Sequence, residues 1–430
     1  MEWSKYSYLF RSQKYQCFLF YSSLSDSIIK LSDNLGMLIR SSIERGVVPS
    51  DLLSEEIIGV FKSKRFIVSS NELELQKIIL ANLRRRFDSS SQTITIAPTL
   101  ECNFACPYCY EQMASQKGAM EENVEKALIS YVEKQSQPSK LNVIWYGGEP
   151  TIAIPTVERL TKKLKGLVKS YSAFMVTNGY LLDKLAGRLR DQLSITGLQV
   201  TLDGLQDSHD KTRILKHSKA STFSTIIKNI NLTLEKDPFV NISIRMNITR
   251  DNAREFLNLR DFLVSEFGKR VSIYPAFVHD YGCAGIKENL YTTARDKVDL
   301  FYDFLEQGGF YAKELYPTRC NNGCMMQVAN SFVVAPDGSL YKCWHHIGKK
   351  GFSVGNLLNE CNNEAEYERR ILYMTHNDSL FSKDCHSCFL FPSCSGGCTD
   401  LATISNHRCI VAKYAIEKII ELRYLIRNEK

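Results

Sequence analysis

Residues 93–110 read TITIAPTLECNFACPYCY. The alternating apolar start, TITIAP, predicts a β-strand. It runs into Cys102, Cys106 and Cys109, a Cys-x3-Cys-x2-Cys array. Three thiolates at this spacing can each take one corner of a 4Fe–4S cubane. The fourth iron is then left without a protein ligand and can bind a small molecule. The alternative is a structural zinc site, which wants a fourth Cys or His close by. The loop offers none, although a more distant residue could supply one.

Working outward, this strand opens a series. LNVIWYG precedes a helical pattern over 156–171, and AFMVTNG one near 181–192. GLQVTLDG precedes a helix over 222–236, FVNISIRMNIT one over 253–267, and VSIYPAFV one over 293–307. With the first strand and a helix over 120–135, that makes six strand–helix units. Such alternation predicts the α/β class and a parallel sheet with right-handed crossovers. Six units fall short of an eight-stranded closed barrel, so a partial (β/α)6 barrel is expected over residues 94–310. Function in such barrels sits at the C-terminal ends of the strands, which is where the cysteine array falls.

Residues 1–93 read as a separate α+β module. YSYLFR, QCFLFYSS and SDSIIKL are strand-like. Helical patterns follow at LSDNLGMLIRSSIE, DLLSEEIIGVFKSK and NELELQKIILANLRRRF, with a short strand RFIV between the last two. This order predicts a winged-helix-like module. DSSSQ, residues 88–92, is a polar linker candidate. From 311 to 430 the alternation stops, short strand candidates and turns accompany nine cysteines, and ATISNHRCIVAKYAIEKIIELRYLIR reads as a final helix.

Composition sets the context. Of 430 residues, 44% are hydrophobic and 23% charged, and the formal net charge is +7. This is ordinary for a globular chain of two or three domains. No apolar run is long enough to span a bilayer, and MEWSKYSYLF lacks the form of a secretory signal. The expectation is a cytoplasmic protein with neither a nucleic-acid nor a membrane partner. Fourteen cysteines are then anomalous. In a reducing compartment, clustered thiols point to metal ligation rather than disulfides. Cys17, Cys283 and Cys361 suit a role as small buried hydrophobes; the other eleven sit at tight spacings in two regions.

The Cys102–Cys109 array resembles the signature of the radical S-adenosylmethionine (SAM) superfamily. That resemblance implies reductive cleavage of SAM, bound at the open iron, to a 5′-deoxyadenosyl radical that abstracts hydrogen from substrate. It extends to Tyr108, the aromatic before the third cysteine, expected near the adenine. It also covers Gly147, Gly148, Glu149 and Pro150, which match the family's GGEP motif at the end of strand two; their exposed backbone and Glu149 are expected to meet the SAM amino group. Asn178, in Thr177-Asn178-Gly179, resembles a ribose- or methionine-contacting position. Asp203 ends strand four and is followed by His209, Asp210 and Arg213. Arg245 and Asn247 on strand five are candidates for carboxylate or ribose contact. For these last groups a structural role is the alternative.

The C-terminal string Cys385-x2-Cys388-x5-Cys394-x3-Cys398, followed by Cys409 and preceded by Cys320, Cys324 and Cys343, resembles the SPASM extension of that superfamily. The resemblance implies two auxiliary 4Fe–4S clusters, three clusters in all. One would use Cys320, Cys324, Cys343 and Cys398; the other would use Cys385, Cys388, Cys394 and Cys409. Should Cys320 not ligate, the first of these could bind a substrate thiolate. Two zinc ribbons are the rival reading.

SPASM enzymes mostly modify peptides or proteins, and the N-terminal module resembles the element that binds leader peptides. It would take the leader by strand addition. A capping or dimerisation domain is the alternative. The leading reading is a maturase that installs a cross-link, a Cys thioether to carbon, in a ribosomally made precursor peptide. It would be supplied with electrons by a flavodoxin- or ferredoxin-like donor. Formation of formylglycine in a sulfatase and a non-catalytic zinc-stabilised peptide binder are the alternatives. His279, Asp280 and Tyr281 are positional candidates for the general base.

Overall fold

The computed structural model describes the chain apart from residues 115–117, 281–286, 311–323, 360–362, 377, 395, 401–408 and 429–430. Its packing falls into two units. One comprises Asp88–Tyr291 and Ala329–Tyr373; the other comprises Met1–Phe87, Thr292–Val328 and Met374–Lys430.

The first unit is built on an eight-stranded, mostly parallel sheet. Its strands β6 (Ser91–Ile96), β7 (Lys140–Trp145), β8 (Ser170–Thr177), β9 (Ile195–Thr201), β10 (Asn241–Ile248) and β11 (Val271–Phe277) lie side by side in chain order. All five of these pairings are parallel. The predicted α/β class and the six-strand series therefore hold. The sheet does not close: β11 is one edge, and β12 (Phe332–Val334) and β13 (Leu340–Tyr341) extend the other. β12 adds in parallel to β6, pairing Phe332 with Ile94 and Val334 with Ile96.

Helices α4 (Glu122–Ser130), α5 (Ile154–Leu167), α7 (Thr222–Lys236) and α8 (Phe256–Phe267) alternate with these strands. The helix expected near 181–192 is a 3-10 turn, Leu182–Lys184, followed by further turns. Its Leu182, Leu185 and Leu189 are fully buried at helix-like spacing, and Gly187 at φ +84° interrupts a regular helix there. Buried Leu141, Val143, Trp145, Met175, Leu198, Val200, Ile244 and Met246 fill the sheet. They alternate with half-buried neighbours along the strands, the period-2 signature of a pleated sheet with two distinct faces.

The second unit joins distant parts of the chain. Strands β2 (Ser7–Ser12), β3 (Cys17–Ser22) and β4 (Ser27–Leu31) form an antiparallel sheet; β1 (Glu2–Trp3) pairs with β5 (Ile67–Val68). Every residue of the central strand β3 is buried because both faces are covered. Phe18, Phe20 and Leu31 pack with Trp3, Ile39, Leu53, Phe61 and Phe66 on one face. Phe10, Leu19 and Tyr21 pack with Leu390, Ile416, Ile419 and Ile420 on the other. Each such buried Phe contributes about 2–3 kcal/mol of transfer free energy.

Helices α1 (Asp33–Glu44), α2 (Glu55–Ser63) and α3 (Asn71–Arg86) begin at Ser32, Ser54 and Ser70. Each serine Oγ accepts from the backbone N–H three residues on, a cap worth about 1 kcal/mol. Arg86 at the end of α3 is buried against Asp378 and also donates to Gln327 Oε1 at 2.8 Å.

These units differ from three consecutive segments divided near 93 and 310. The 332–341 hairpin belongs with the parallel sheet because β12 is hydrogen-bonded into it. The helix Ala294–Gly308, expected as the last element of the barrel, belongs with the N-terminal module, where Val298 enters the sheet's rear core. Among the described residues, no helix is long and apolar enough to cross a membrane.

Candidate functional site

The loop after β6 carries the cysteine array. Cys106 is buried and Cys102 and Cys109 are half-buried. Burial pushes the Cys102 and Cys109 thiols up to about 12 and raises that of Cys106 as well. The thiols also raise one another. Three soft donors on one short, buried loop suit a thiophilic metal centre.

The loop is held from three sides. Gly148 N–H donates to Thr99 O at 3.1 Å and Glu149 N–H to Glu101 O at 2.9 Å. A Cβ on Gly147 would lie 2.4 Å from Thr99 O, and one on Gly148 2.2 Å from Glu101 O. Glycine is therefore required at both positions so that the backbones can meet.

Glu149 is fully buried. Its Oε1 accepts from Thr151 N–H (3.0 Å), Thr151 Oγ1 (2.6 Å) and Thr177 Oγ1 (2.7 Å), and its Oε2 from Asn178 N–H (2.6 Å). Both carboxylate oxygens are thus engaged by the chain itself. The carboxylate locks the ends of β7 and β8 together. Pro150 follows at the first position of a 3-10 turn, as its fixed φ favours.

Asn178 closes the second side. Its Nδ2 donates to Asn103 Oδ1 at 2.7 Å and lies 3.8 Å from Cys102 Sγ. On the third side, Asp203 Oδ2 accepts from Tyr108 Oη, and Asn247 Nδ2 donates to the same hydroxyl at 3.2 Å. Asn252 Nδ2, not anticipated from the sequence, clamps Asp203 O and Asn247 O at 2.9 and 2.8 Å. His209 Nδ1 accepts from Asp203 N–H at 3.2 Å, and burial lowers its pKa to about 3, so the ring is neutral. Asp203 Oδ1 and Arg213 Nε are buried without a hydrogen-bond partner.

A cavity of about 180 Å³ opens beside Cys109. Tyr108, Thr201, Gln199, Arg245 and Asn247 give it a polar wall, and Arg245 Nε donates to Asn247 Oδ1 at 2.9 Å. Tyr110, Tyr146, Phe277 and Trp344 give it an aromatic wall. Tyr146 packs on Trp344 with ring centroids 4.5 Å apart, and Trp344 Nε1 donates to Thr95 Oγ1 at 3.0 Å. The Tyr110 and Tyr146 hydroxyls are hydrogen-bonded to each other. Sequence reasoning missed this wall. Its only linear signals are that Tyr110 follows the third cysteine, Tyr146 precedes the double glycine and Trp344 follows Cys343. The structure brings Tyr108, Cys109, Arg245 and His279 to this one cavity. Tyr281 lies outside the described residues.

The other unit holds a second cavity, of about 220 Å³. Cys385, Cys388, Cys394 and Cys409 all line it, with Leu390, Phe391 and Ile410. Burial pushes the Cys394 thiol up to about 11. Lys413 Nζ lies 3.4 Å from Cys409 Sγ. Of the remaining candidate ligands, Cys324 and Cys398 belong to this unit and Cys343 to the other. Cys320, like Cys283 and Cys361, lies outside the described residues.

Comparison with known proteins matches residues 96–263 to the radical SAM superfamily. The family implies SAM and a 4Fe–4S cluster. Fe-coproporphyrin III synthase of Methanosarcina barkeri is 26% identical over 225 residues, half of this chain and 53% of that relative. The match thus spans only about half of that relative's length. Mycofactocin maturase MftC of Mycobacterium ulcerans is 26% identical over 319 residues, 70% of this chain and 80% of the relative.

Among solved structures, native anSMEcpe with bound AdoMet and the Cp18Cys peptide superposes with TM-score 0.58 at 20% identity, covering 78% of this chain and 99% of that one. Streptococcus suis SuiB bound to precursor peptide SuiA superposes with TM-score 0.51 at 14% identity, covering 94% of this chain and 97% of that one. At these identities the likeness is one of fold. The superfamily match itself covers residues 96–263, which hold the cysteine loop and the parallel strands β7 to β10.

Proposed function

We propose that this chain, whose residues 96–263 belong to the radical SAM superfamily, is a peptide maturase that cross-links a ribosomally made precursor. The bond we favour is a Cys thioether to carbon. Cys102, Cys106 and Cys109 would hold a 4Fe–4S cluster, and Cys385, Cys388, Cys394 and Cys409 an auxiliary one. Cys320, Cys324, Cys343 and Cys398 would hold a third. With SAM bound, the first centre supplies a 5′-deoxyadenosyl radical by one-electron reduction. The chain's own part is positional. Glu149 and Asn178 fix the cysteine loop, Arg245 and Asn247 present polar groups to the SAM carboxylate or ribose, and the Tyr110–Tyr146–Trp344 wall excludes water from the reacting face. Electrons would come from a flavodoxin- or ferredoxin-like donor.

The observation that carries the reading is that four cysteines scattered over residues 385–409 gather around one cavity in the same unit as the N-terminal sheet. A metal-bearing segment packed onto a module with an edge strand suits an enzyme that holds a peptide while modifying it. Further support is that SuiB, solved with its precursor peptide, resembles 94% of this chain, N-terminal module included, whereas anSMEcpe resembles 78%. We assign the leader to the edge of the β2–β4 sheet.

The test is anaerobic incubation of reconstituted protein with SAM, dithionite and a Cys-containing candidate precursor. The expected outcome is 5′-deoxyadenosine together with a peptide two hydrogens lighter whose thiol no longer alkylates. A formylglycine product would refute the cross-link. Zinc in place of iron would refute the enzyme.

A further inference from the structure

Arg213 is the residue whose burial the site has not yet explained. It follows helix α6 (Gln206–Thr212), and its side chain is only 10% exposed. The backbone that follows it lies along the cysteine loop. Ala105 N–H donates to Ile214 O at 2.8 Å, Lys216 N–H donates to Asn103 O at 2.9 Å, and Phe104 pairs with Leu215 in an antiparallel bridge. Residues 213–216 therefore form a strap across the segment between the first two cysteines. Thr222 Oγ1 secures the strap at its start by donating to Arg213 O at 2.9 Å.

The side chain makes two more attachments to the same loop. The guanidinium sits 5.5 Å from the centroid of Phe104, a cation–π distance. Its Nη1 donates to Tyr108 Oη at 2.9 Å. Phe104 and Tyr108 flank Cys106 on either side, so the charge is held above the stretch that carries the buried middle ligand. Asp203 Oδ2 lies 4.0 Å from Nη1. Arg213 Nε has no hydrogen-bond partner although it is buried. A buried N–H left without an acceptor is costly, and an anionic group facing it would remove that cost.

We propose that Arg213 is a positioning residue that straps the cysteine loop and serves as the fixed countercharge of the first iron–sulfur centre. This rests on the reading that Cys102, Cys106 and Cys109 hold a 4Fe–4S cluster. Three thiolates give that cluster a net charge of −1 when oxidised, and one electron from the donor makes it −2. A buried cation favours the more negative form. Arg213 thereby makes the centre easier to reduce in a site where burial alone would oppose the added charge. Lysine can keep the charge, though not the planar contact with Phe104.

The experiment is an anaerobic redox titration of the reconstituted full chain, followed by electron paramagnetic resonance with and without SAM. The first cluster is identified as the signal that SAM alters. In Arg213→Gln the reduced-to-oxidised ratio of that signal at a fixed potential should fall about tenfold, a shift of ~59 mV for a one-electron couple. Signals that SAM does not alter should stay in place, and Arg213→Lys should restore most of the ratio. If Arg213→Gln does not take up the first cluster, Arg213→Lys must take it up for the proposal to stand. The proposal is overturned if Gln and wild type titrate alike, or if Lys behaves as Gln does. A wild-type protein with no SAM-responsive signal would instead defeat the functional reading itself.

Discussion

The two cysteine sites are built in opposite ways. At the mouth of the parallel sheet, three ligands fall within eight consecutive residues, and the fold's task is to hold that loop still. It does so with Glu149, Asn178, Tyr108 and Asp203, drawn from the loop itself and the ends of β7, β8 and β9. In the other unit, four cysteines come from residues 385–409, and their support is an apolar core shared with the N-terminal sheet. The first site is a polar network around three thiols; the second is a cavity lined by four thiols and apolar side chains. Under the proposed function the two sites divide the labour, with SAM chemistry in the network and peptide holding in the unit that carries the second site.

The largest effect that would sharpen this division is loss of the middle ligand. Cys106→Ala should reduce 5′-deoxyadenosine formation to background while leaving the auxiliary iron in place. Iron analysis and chromatography of the reaction read both at once. SAM cleavage surviving in this variant would remove the first site from the chemistry. The mirror experiment is the double change Cys388→Ala with Cys394→Ala. It should lower iron by about four atoms per chain and abolish peptide modification, yet leave SAM cleavage by the first site. Equal loss of both activities would erase the proposed division.

A smaller effect separates stability from chemistry. Arg86 and Asp378 are 5% and 3% exposed, and Asp378 Oδ1 accepts from Arg86 Nη2 at 3.0 Å. Removing one partner of such a pair strands a buried charge, at a cost of about 3–5 kcal/mol. Asp378→Ala should lower the urea midpoint of the unit containing the N-terminal sheet by a corresponding amount. Replacing both residues with apolar ones should recover much of that loss. A double variant no better than the single one would show that the pair does more than satisfy itself.

The two regions also differ in how far the sequence revealed them. The Cys102–Cys109 loop, the six parallel strands and helices α1–α3 were legible because their signals are local: cysteine spacing, period-2 alternation and helical periodicity. The β12 addition to β6 was not, because strand pairing over some 240 residues leaves no mark in either three-residue segment. The rear core of the N-terminal sheet was hidden for the same reason, since Ile416, Ile419 and Ile420 read only as a helix face until the sheet is placed against them. Glu149 was legible as important but not as saturated. Its donors, Thr151, Thr177 and Asn178, are assembled by the fold.

The network site has one further vulnerability, to acid. His209 accepts from Asp203 N–H and is held neutral, its pKa lowered to about 3 by burial, with the Arg213 cation adding to the effect. The unfolded imidazole titrates near ~6.5. A base depressed in the folded state contributes stability above its unfolded pKa. That contribution is lost as pH falls from about 6.5 towards about 3, because only the unfolded chain takes up the proton readily. The first site should therefore loosen in mild acid, at a cost on the order of a few kcal/mol across that window. His209→Gln keeps an acceptor for Asp203 N–H and cannot be protonated. Its stability should fall less than that of wild type between pH 7 and pH 4, as read from urea midpoints at each pH. Parallel pH profiles would place the acid sensitivity elsewhere. A flatter profile in the variant would tie it to the residue that braces Asp203, and through Asp203 to Tyr108 and the cysteine loop.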